Sequence, residues 1–448
     1  MATPQETPPS AVSATAKQDG EVWTRWAWAE PAVWTERMLT ALEQGVKGGM
    51  WFSLSDKVYA ERNLRVAARK VAANHGAPGV DHVTVEAFLD DLEANVDKLT
   101  QALRDGSYEP QAIRRVYMPK PGSSEQRPLG IPTVRDRVVQ GAIRHVLEPI
   151  FEREFATHSY GFRPGRGCKD ALRRVDALLK QGYVYVVDAD LKSYFDTIPH
   201  DRLLNRLRER LADQRLLTLI ASFLKAGIFD GLDEWEPEAG APQGAVLSPL
   251  LSNIYLNPLD HQLAAQGFEM VRYADDFVIL CRSQAEAEQA LALVRQWCAA
   301  EGLQLHPTKT HIVDVRQEGF DFLGYHFQVT RRGRLTRWPR KKSLQKLKDT
   351  LRAKTKRTNG HSLLTVLADV NRTLVGWFGY FHHSCRSTFA DVDGWVRMRL
   401  RSILRKRAGR RGRGRGRDHQ RWPNSFFAEH GYYSLSATYA LAGQSPRG

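Results

Sequence analysis

The sequence predicts a mixed α+β fold that gives way to helices alone in the C-terminal third. Apolar, β-prone runs at 183–191 and on both sides of Asp275-Asp276 alternate with segments of helical periodicity, the pattern of a sheet packed against helices. From Ser343 onward the pattern is helical only, as far as the alternating Arg and Gly of 413–417. That run offers no side chains for a core, so the sequence predicts a flexible segment there.

The elements follow one another in a simple order along the first 330 residues. A tryptophan-rich stretch at 22–50 has helix-like spacing, and Gly76-Ala77-Pro78-Gly79 ends the helix after it. Lys120-Pro121-Gly122 marks a turn between strand-like pieces within 113–131. The other predicted strands are 183–191, 303–305 and 312–315, and the predicted helices are 56–75, 88–103, 134–155, 169–180, 247–259 and 284–301, with one more from His200.

Positive charge is concentrated in the C-terminal third. The 448 residues carry a formal charge of +15, but the stretch from Gln328 to Arg421 alone holds 27 Lys or Arg and 5 Asp or Glu. This stretch therefore carries +22, which leaves −7 for the remainder. A solvated basic face is the alternative, but so uneven a split favours contact with nucleic acid.

Three features indicate a cytoplasmic protein without membrane contact. Four scattered cysteines form no Cys-x-x-Cys pair, which argues against disulfides and zinc fingers. Residues 1–20 are rich in Pro, Ser, Ala and Thr and indicate a disordered tail, not a signal peptide. No apolar run has the length needed to span a bilayer.

The pair Asp275-Asp276 lies at a tight turn between two β-prone runs, so both carboxylates belong to the tip of a hairpin. Adjacent carboxylates resist joint ionisation unless a cation lies between them. A pair of magnesium ions is the usual partner, and it serves in-line phosphoryl transfer. An ordinary surface turn is the alternative for the dipeptide alone.

A second acidic strand strengthens this interpretation. Side chains alternate along 183–190, so Asp188 and Asp190 share the face opposite Val187. Asp190 lies at the strand end, where it would complete a two-metal site with Asp275 and Asp276. In isolation Asp190 could equally cap the strand.

The order of eight short motifs is the most specific signal in the chain. They are 76–81, 117–120 with 127–132, 159–165, 190–196, 242–244 with 247–250, 273–276, 302–305 with 309–310, and 322–325. In this order they resemble the reverse transcriptases encoded within bacterial group II introns, which also act as splicing maturases. The resemblance covers roughly 51–421.

The resemblance implies a right-hand polymerase with fingers at 51–182, a ferredoxin-like palm at 183–330 and a helical thumb, or maturase domain X, at 341–407. A basic flexible tail would follow at 408–448. It implies an RNA-directed DNA polymerase that copies group II intron RNA, extends a DNA primer at its target with dNTPs, and assists splicing and mobility. Some relatives end in an HNH nuclease with paired cysteines, whereas the residues after Arg421 contain no cysteine.

The resemblance also implies roles in the polymerase site. Asp190, Asp275 and Asp276 would bind two Mg²⁺ ions. Phe195 would be the steric gate that excludes a ribose 2′-hydroxyl.

Four further residues would bind the nucleotide. Lys120 and Arg127 would neutralise the triphosphate, and Gln243 would lie beside the nucleotide and its template base. Lys309 would donate a proton to pyrophosphate. Without the motifs, the three cations among them, Lys120, Arg127 and Lys309, would be interpreted as ordinary surface side chains.

RNA contact is expected on the second thumb helix, predicted at 389–406. Basic side chains suit phosphate contact, which binds strongly and reads little sequence. The candidates are Arg397, Arg401, Arg405 and Lys406, and Arg399 is a further basic residue of the same helix that suits phosphate contact. Nearby aromatic residues such as Trp377 and Phe378 are expected in the core instead.

Two other functions stay open at this stage. One is a splicing cofactor whose polymerase is silent, which the intact aspartates and Phe195 argue against. The other is a reverse transcriptase recruited to phage defence or to a CRISPR system, which only genomic context separates from an intron protein.

Overall fold

The computed structural model describes residues 21–119, 126–231 and 233–442. The predicted tail at 1–20 and Lys120 lie outside the described residues. The chain divides into a helical N-terminal part, a sheet-based middle part and a helical C-terminal part, as the sequence predicted.

The N-terminal part packs short helices around one long central helix. Its elements are α1 (Glu21–Arg25), α2 (Glu36–Gln44), α3 (Ser55–Val58), α4 (Glu61–Ala73), α5 (Val85–Asp90), α6 (Leu92–Asp105), β1 (Ile113–Pro119), β2 (Gln126–Ile131), α7 (Val134–Glu152) and α8 (Cys168–Lys180), with one turn of 3-10 helix at Lys47–Gly49. Most of α7 is buried, and Thr133 caps its first turn by accepting a hydrogen bond from the Asp136 amide. The helix thus forms the centre of the largest hydrophobic core.

The middle part contains the chain's central sheet. Its elements are β3 (Tyr185–Asp190), α9 (Tyr194–Thr197), α10 (His200–Arg208), α11 (Gln214–Lys225), β4 (Ile228–Asp230), β5 (Asp233–Trp235), α12 (Ser248–Ala265), β6 (Glu269–Tyr273), β7 (Asp276–Cys281), α13 (Gln284–Ala300), β8 (His311–Asp314), β9 (Phe320–Phe322), β10 (Tyr325–Val329) and β11 (Leu335–Pro339). The central sheet has the order β6-β7-β3-β8 and is antiparallel throughout. Strands β2-β1-β4-β5 form a second four-stranded sheet, and β11-β10-β9 form a three-stranded one.

The two faces of the central sheet enter different cores. Val187 and Ile279 belong to the large core that includes α12 and α13. On the opposite face, Val186 and Val278 pack with α8 and with β9 and β10. Asp188 and Asp190 share this second face by alternation, as predicted from the sequence.

The C-terminal part is helical: α14 (Lys341–Lys354), α15 (Leu363–Phe381), α16 (Arg386–Arg407), α17 (Asp418–Arg421), α18 (Asn424–Glu429) and α19 (Leu435–Ala442). These helices share a core of their own that includes Phe378, the predicted core residue. Trp377 lies partly buried at its edge.

The structure differs from the sequence expectation beyond residue 407. In place of a flexible tail, residues 418–442 form short helices, with Phe427 and Leu435 fully buried. The buried carboxylate of Asp393 accepts hydrogen bonds from the Leu435 and Ser436 amides and from the Tyr432 hydroxyl, which ties α19 to α16. Local composition hides this packing because its partners lie about forty residues away.

Three local boundaries also differ. The predicted helix 56–75 is interrupted at Ala60, whose extended backbone separates α3 from α4. The predicted strand 183–191 is shorter, at Tyr185–Asp190. In place of a strand at 303–305, Leu305 makes a single bridge to Leu191.

Candidate active site

The structure brings the three predicted aspartates together at one end of the central sheet. Tyr273 pairs with Asp276 across the β6–β7 hairpin, so Ala274 and Asp275 form its two-residue tip. In the next pair of strands Asp190 lies directly opposite Asp276. Directly opposed residues of an antiparallel pair hold their Cβ atoms about 5 Å apart, so these carboxylates face the same space.

The tip of the hairpin is conformationally strained. Ala274 has φ = 60°, in the left-handed region that residues other than glycine seldom adopt. Ser193, three residues beyond Asp190, has φ = 49°. Outliers of this kind persist only where surrounding contacts enforce them, and they gather at functional sites.

Burial and mutual repulsion raise the pKa values of the carboxyl groups in this cluster. Burial, together with the charges of Asp188, Asp275 and Asp190, raises the pKa of Asp276 to about 7. Burial raises the pKa of Asp188 to about 6, with Asp321 and Asp190 adding to the rise. Burial and Asp190 also raise the pKa of Asp275. A cation is the natural partner for carboxylates held in this way.

Lys309 is the basic side chain in direct contact with this cluster. Its Nζ lies 2.7 Å from Asp190 Oδ2 and forms an ion pair that solvent reaches. No group of three His, Cys, Asp or Glu side chains within the described ranges forms a ready-made metal cage. The donor chemistry nonetheless suits a hard divalent cation, because Asp190, Asp275 and Asp276 offer only carboxylate oxygens.

A buried arginine supports the hairpin from below. Arg272 is fully buried, and its Nε and Nη2 donate to the Asp260 carboxylate of α12 at 2.8 and 2.5 Å. Its Nη1 donates to Asn253 Oδ1 and to the carbonyl oxygen of Ala274, each at 2.9 Å. The guanidinium therefore fixes the backbone immediately before Asp275 to the helix beneath the sheet.

A loop from the N-terminal part closes on the same turn. The Tyr160 amide donates to Arg272 O at 2.8 Å, and the Arg272 amide donates to His158 O at 3.0 Å. Gly161 lies so close that a Cβ placed on it would be 2.3 Å from the Ala274 nitrogen. Asn253 Nδ2 donates to Gly161 O at 2.8 Å and joins this loop to the Arg272 network.

Phe195 and Gln243 line one cavity of about 450 Å³. Phe195 is 7% exposed and makes an edge contact with Tyr194. The Ala241 amide donates to Phe195 O at 2.7 Å, which ties the turn before Gln243 to the start of α9. A cavity of this volume can hold part of a nucleotide.

Arg127 of β2 contacts Gln243, one of the residues that line this cavity. Its Nε donates to Gln243 Oε1 at 2.8 Å, and the Gly130 amide donates to Gln243 O at 2.7 Å. Gln243 and Phe195 therefore line one cavity, and Arg127 is connected to it through Gln243. Lys120, which was also predicted to contact the nucleotide, lies outside the described residues.

The predicted RNA-binding residues of α16 differ in their availability. Arg401 is 3% exposed, with its guanidinium bonded to Trp422 O and Asn424 Oδ1. Arg405 pairs with Asp418 at 2.6 Å, and Arg397 lies 4.0 Å from Asp393. Lys406 is exposed to solvent. Contacts within the protein thus occupy three of the four, and their role in RNA binding stays a prediction.

Sequence reasoning missed the supporting residues of the site, above all Arg272, Asp260 and Gly161. One signal was present: Arg272 interrupts an otherwise apolar strand, and a buried arginine needs a buried acidic partner. That partner is Asp260 in α12, and no sequence pattern around Asp260 indicates this role.

Comparison with known proteins finds two family models along the chain. Residues 118–327 match the family model described as reverse transcriptase (RNA-dependent DNA polymerase), and residues 344–422 match the one described as group II intron, maturase-specific domain. Protein YkfC of Escherichia coli K12 is 35% identical over 354 residues, which cover 69% of this chain and 87% of YkfC. The chain belongs to the group II intron-encoded reverse transcriptases. It is an RNA-directed DNA polymerase joined to a maturase domain, as the motif order predicted.

Two other relatives of this reverse transcriptase are named for the introns in which they lie. The group II intron-encoded protein LtrA of Lactococcus lactis is 40% identical over 197 residues, covering 44% of this chain and 32% of LtrA. A 91 kDa protein in the cob intron of Schizosaccharomyces pombe is 32% identical, covering 58% of this chain and 39% of the relative. The match thus spans only about a third of the length of these two proteins.

A solved Cas6-RT-Cas1--Cas2 complex contains a chain that is 28% identical and matches 55% of this chain and 41% of its own length, with a TM-score of 0.35. A likeness of that size supports no conclusion about function. Polymerases of the reverse transcriptase family depend on divalent metal ions in general. Across the described residues, no helix is both long and apolar enough to cross a bilayer.

Proposed function

We propose that this reverse transcriptase extends a DNA primer on group II intron RNA, using Asp190, Asp275 and Asp276 to hold two Mg²⁺ ions. The observation that carries the proposal is the register of β3 and β7, which sets Asp190 opposite Asp276 and beside the Asp275 tip. The raised pKa of Asp276 supports it, because these buried carboxylates repel one another without a cation.

When bound, the metal ions would activate the primer 3′-hydroxyl and stabilise charge on the transferred phosphate. The protein's own side chains complete the site. Phe195 lines the cavity that also contains Gln243, and its ring would meet a ribose 2′-hydroxyl there and leave room for deoxyribose. Arg127 and Gln243, joined by a hydrogen bond, would orient the triphosphate and the base.

Lys309 is the proposed proton donor to the leaving pyrophosphate. Its ammonium lies 2.7 Å from Asp190 and is solvent-accessible, so it can move from the carboxylate to an incoming phosphate without breaking a buried contact. Lys120 stays a proposed triphosphate contact on the strength of its motif alone.

The maturase-specific match at 344–422 supports a second activity, assistance in splicing of the parent intron. The basic C-terminal part supplies the charge for binding intron RNA. Intron mobility by target-primed reverse transcription would join the two activities. The four free cysteines fit work in the reducing cytoplasm.

Primer extension on an RNA template with dNTPs and Mg²⁺ tests the proposal. We expect Asp275→Asn and Asp276→Asn to lose at least about a thousandfold in rate, the scale of losing a transition-state charge partner. Asp188→Asn is the matched control, since it removes a half-buried carboxylate from the same sheet face that is not a proposed ligand, although its charge contributes to the raised pKa of Asp276. Equal losses in all three variants would point to structural damage, and no synthesis by the wild type would refute the polymerase proposal.

A further inference from the structure

The thumb contains a basic cavity that the polymerase site does not use. It measures about 370 Å³ and lies between α14, α16 and the Arg-Gly segment at 413–417. Four of its lining residues are arginines and one is tryptophan: Arg352, Arg357, Arg399, Arg413 and Trp395. We call this set the thumb pocket.

The arginines of the thumb pocket are poorly neutralised. Arg399 donates to Thr355 Oγ1 at 2.6 Å and to the Thr355 carbonyl at 3.0 Å, so its partners are neutral. Burial and the charges of Arg352, Arg357 and Arg413 lower the pKa of Arg399. Among the described residues, Arg352 of this set forms an ion pair with Asp349. Both side chains of that pair are about half exposed. Concentrated positive charge in a concave site favours an anion.

Trp395 gives the pocket a flat apolar surface beside this charge. The guanidinium of Arg352 lies 5.7 Å from the ring centroid, and that of Arg399 lies 5.3 Å from it. The indole is partly exposed and rests on the thumb core. An aromatic face flanked by arginines suits a nucleobase joined to a phosphate, because stacking and phosphate contact are satisfied together.

The geometry also distinguishes this pocket from the rest of α16. Arg401 and Arg405 are held by partners inside the protein, as described above. Arg357 and Arg413 are exposed, and Arg357 donates a hydrogen bond to Gly412 O. Both side chains line the pocket and can meet a phosphate there.

We propose that the thumb pocket binds one unpaired nucleotide of a nucleic acid strand, with its phosphate on Arg357, Arg399 and Arg413 and its base against Trp395. A base within a duplex is covered on both faces by its neighbours, so only a single-stranded or bulged nucleotide can use the indole. This inference rests on the proposed function of binding intron RNA, and it adds a defined site and a preference for unpaired strands.

Binding of labelled oligonucleotides to the full chain, followed by fluorescence anisotropy over a salt series, tests the proposal. The probes are a single-stranded RNA, a single-stranded DNA of the same sequence, and the blunt RNA duplex. The variants are Trp395→Leu, Trp395→Phe and the double change Arg357→Gln with Arg413→Gln. The matched control, Arg62→Gln with Arg208→Gln, removes the same charge from exposed positions of the N-terminal two-thirds.

For the single strand we expect Trp395→Leu to weaken binding about tenfold and Trp395→Phe to restore most of it, since stacking contributes about 1–3 kcal/mol per base. The double arginine variant should lose about tenfold, with a salt slope shallower by about one to two ions. The duplex should be little affected by Trp395→Leu. The RNA and DNA arms decide which strand occupies the pocket.

Two results would overturn the inference. One is single-strand binding by the pocket variants that matches the control pair. The other is equal weakening of single strand and duplex by Trp395→Leu, which would mean general damage to the thumb. Primer extension by the same preparations on a pre-annealed template separates the proposals, because unchanged synthesis with unchanged binding refutes only the pocket.

Discussion

A single methyl group added at Gly161 should disable the polymerase while leaving the protein folded. The Cβ of Gly161→Ala would lie 2.3 Å from the Ala274 nitrogen and 2.9 Å from the Tyr273 carbonyl carbon. Ordinary contact begins near 3.4 Å, so the two backbones must separate by about 1 Å. Both contacted atoms belong to the peptide unit that leads to Asp275, and no flexible side chain can absorb the shift.

The displacement has two measurable consequences. A misplacement of about 1 Å in a reacting group costs on the order of a hundredfold in rate, so the single-turnover rate of dNTP addition should fall by about that factor. Overpacking of this kind destabilises by about 1–3 kcal/mol, which urea denaturation should detect without loss of cooperativity.

Gly167→Ala is the matched control in the same loop. Its Cβ would meet only Asp170 Oδ2 at 3.9 Å, and its backbone is extended at φ = −149°. This variant should polymerise within about threefold of the wild type. If Gly161→Ala retains the wild-type rate, or if both variants lose it equally, the contact between Gly161 and the Ala274 turn does not position Asp275.

Three further predictions follow from the same site. Phe195→Ala should lower discrimination against ribonucleotides by at least about tenfold in competitive primer extension, since the clash with a 2′-hydroxyl is gone; unchanged discrimination would remove its role as gate. Arg272→Leu should lower the free energy of unfolding by about 3–5 kcal/mol, because it leaves Asp260 buried without its partner. Adding Asp260→Leu should recover part of that loss in urea titrations, and no recovery would count against the importance of the ion pair. In metal-free buffer the folded protein holds the Asp276 proton up to about pH 7, whereas the unfolded chain releases it near 3.8, so stability should fall as the pH rises through this interval. Asp276→Asn should be the more stable protein at pH 8, by up to about 4 kcal/mol at 1.36 kcal/mol per pKa unit, and a smaller stability than wild type there would contradict the assigned shift.

Much of the fold could be predicted from periodicity, because elements such as β3, β7, α8 and α13 have their apolar side chains at the required spacing. The strand ending at Asp190 and the Asp275-Asp276 hairpin are local patterns, and both formed where predicted. The interruption at Ala60 and the helices at 418–442 were missed, since they depend on packing against distant residues such as Asp393.

By itself the sequence determined the family, and it supplied Asp190, Asp275 and Asp276 as the proposed catalytic side chains in motifs whose order is specific to that family. Alternation along a strand also decided which face Asp190 shares with Asp188, because the period of two is a property of the extended backbone. Only the tertiary structure decided how the Asp275 turn is held, through a buried arginine whose partner comes from another helix. It also decided which thumb arginines are free, because a charge count cannot tell a guanidinium bonded inside the protein, such as that of Arg401, from one lining a cavity.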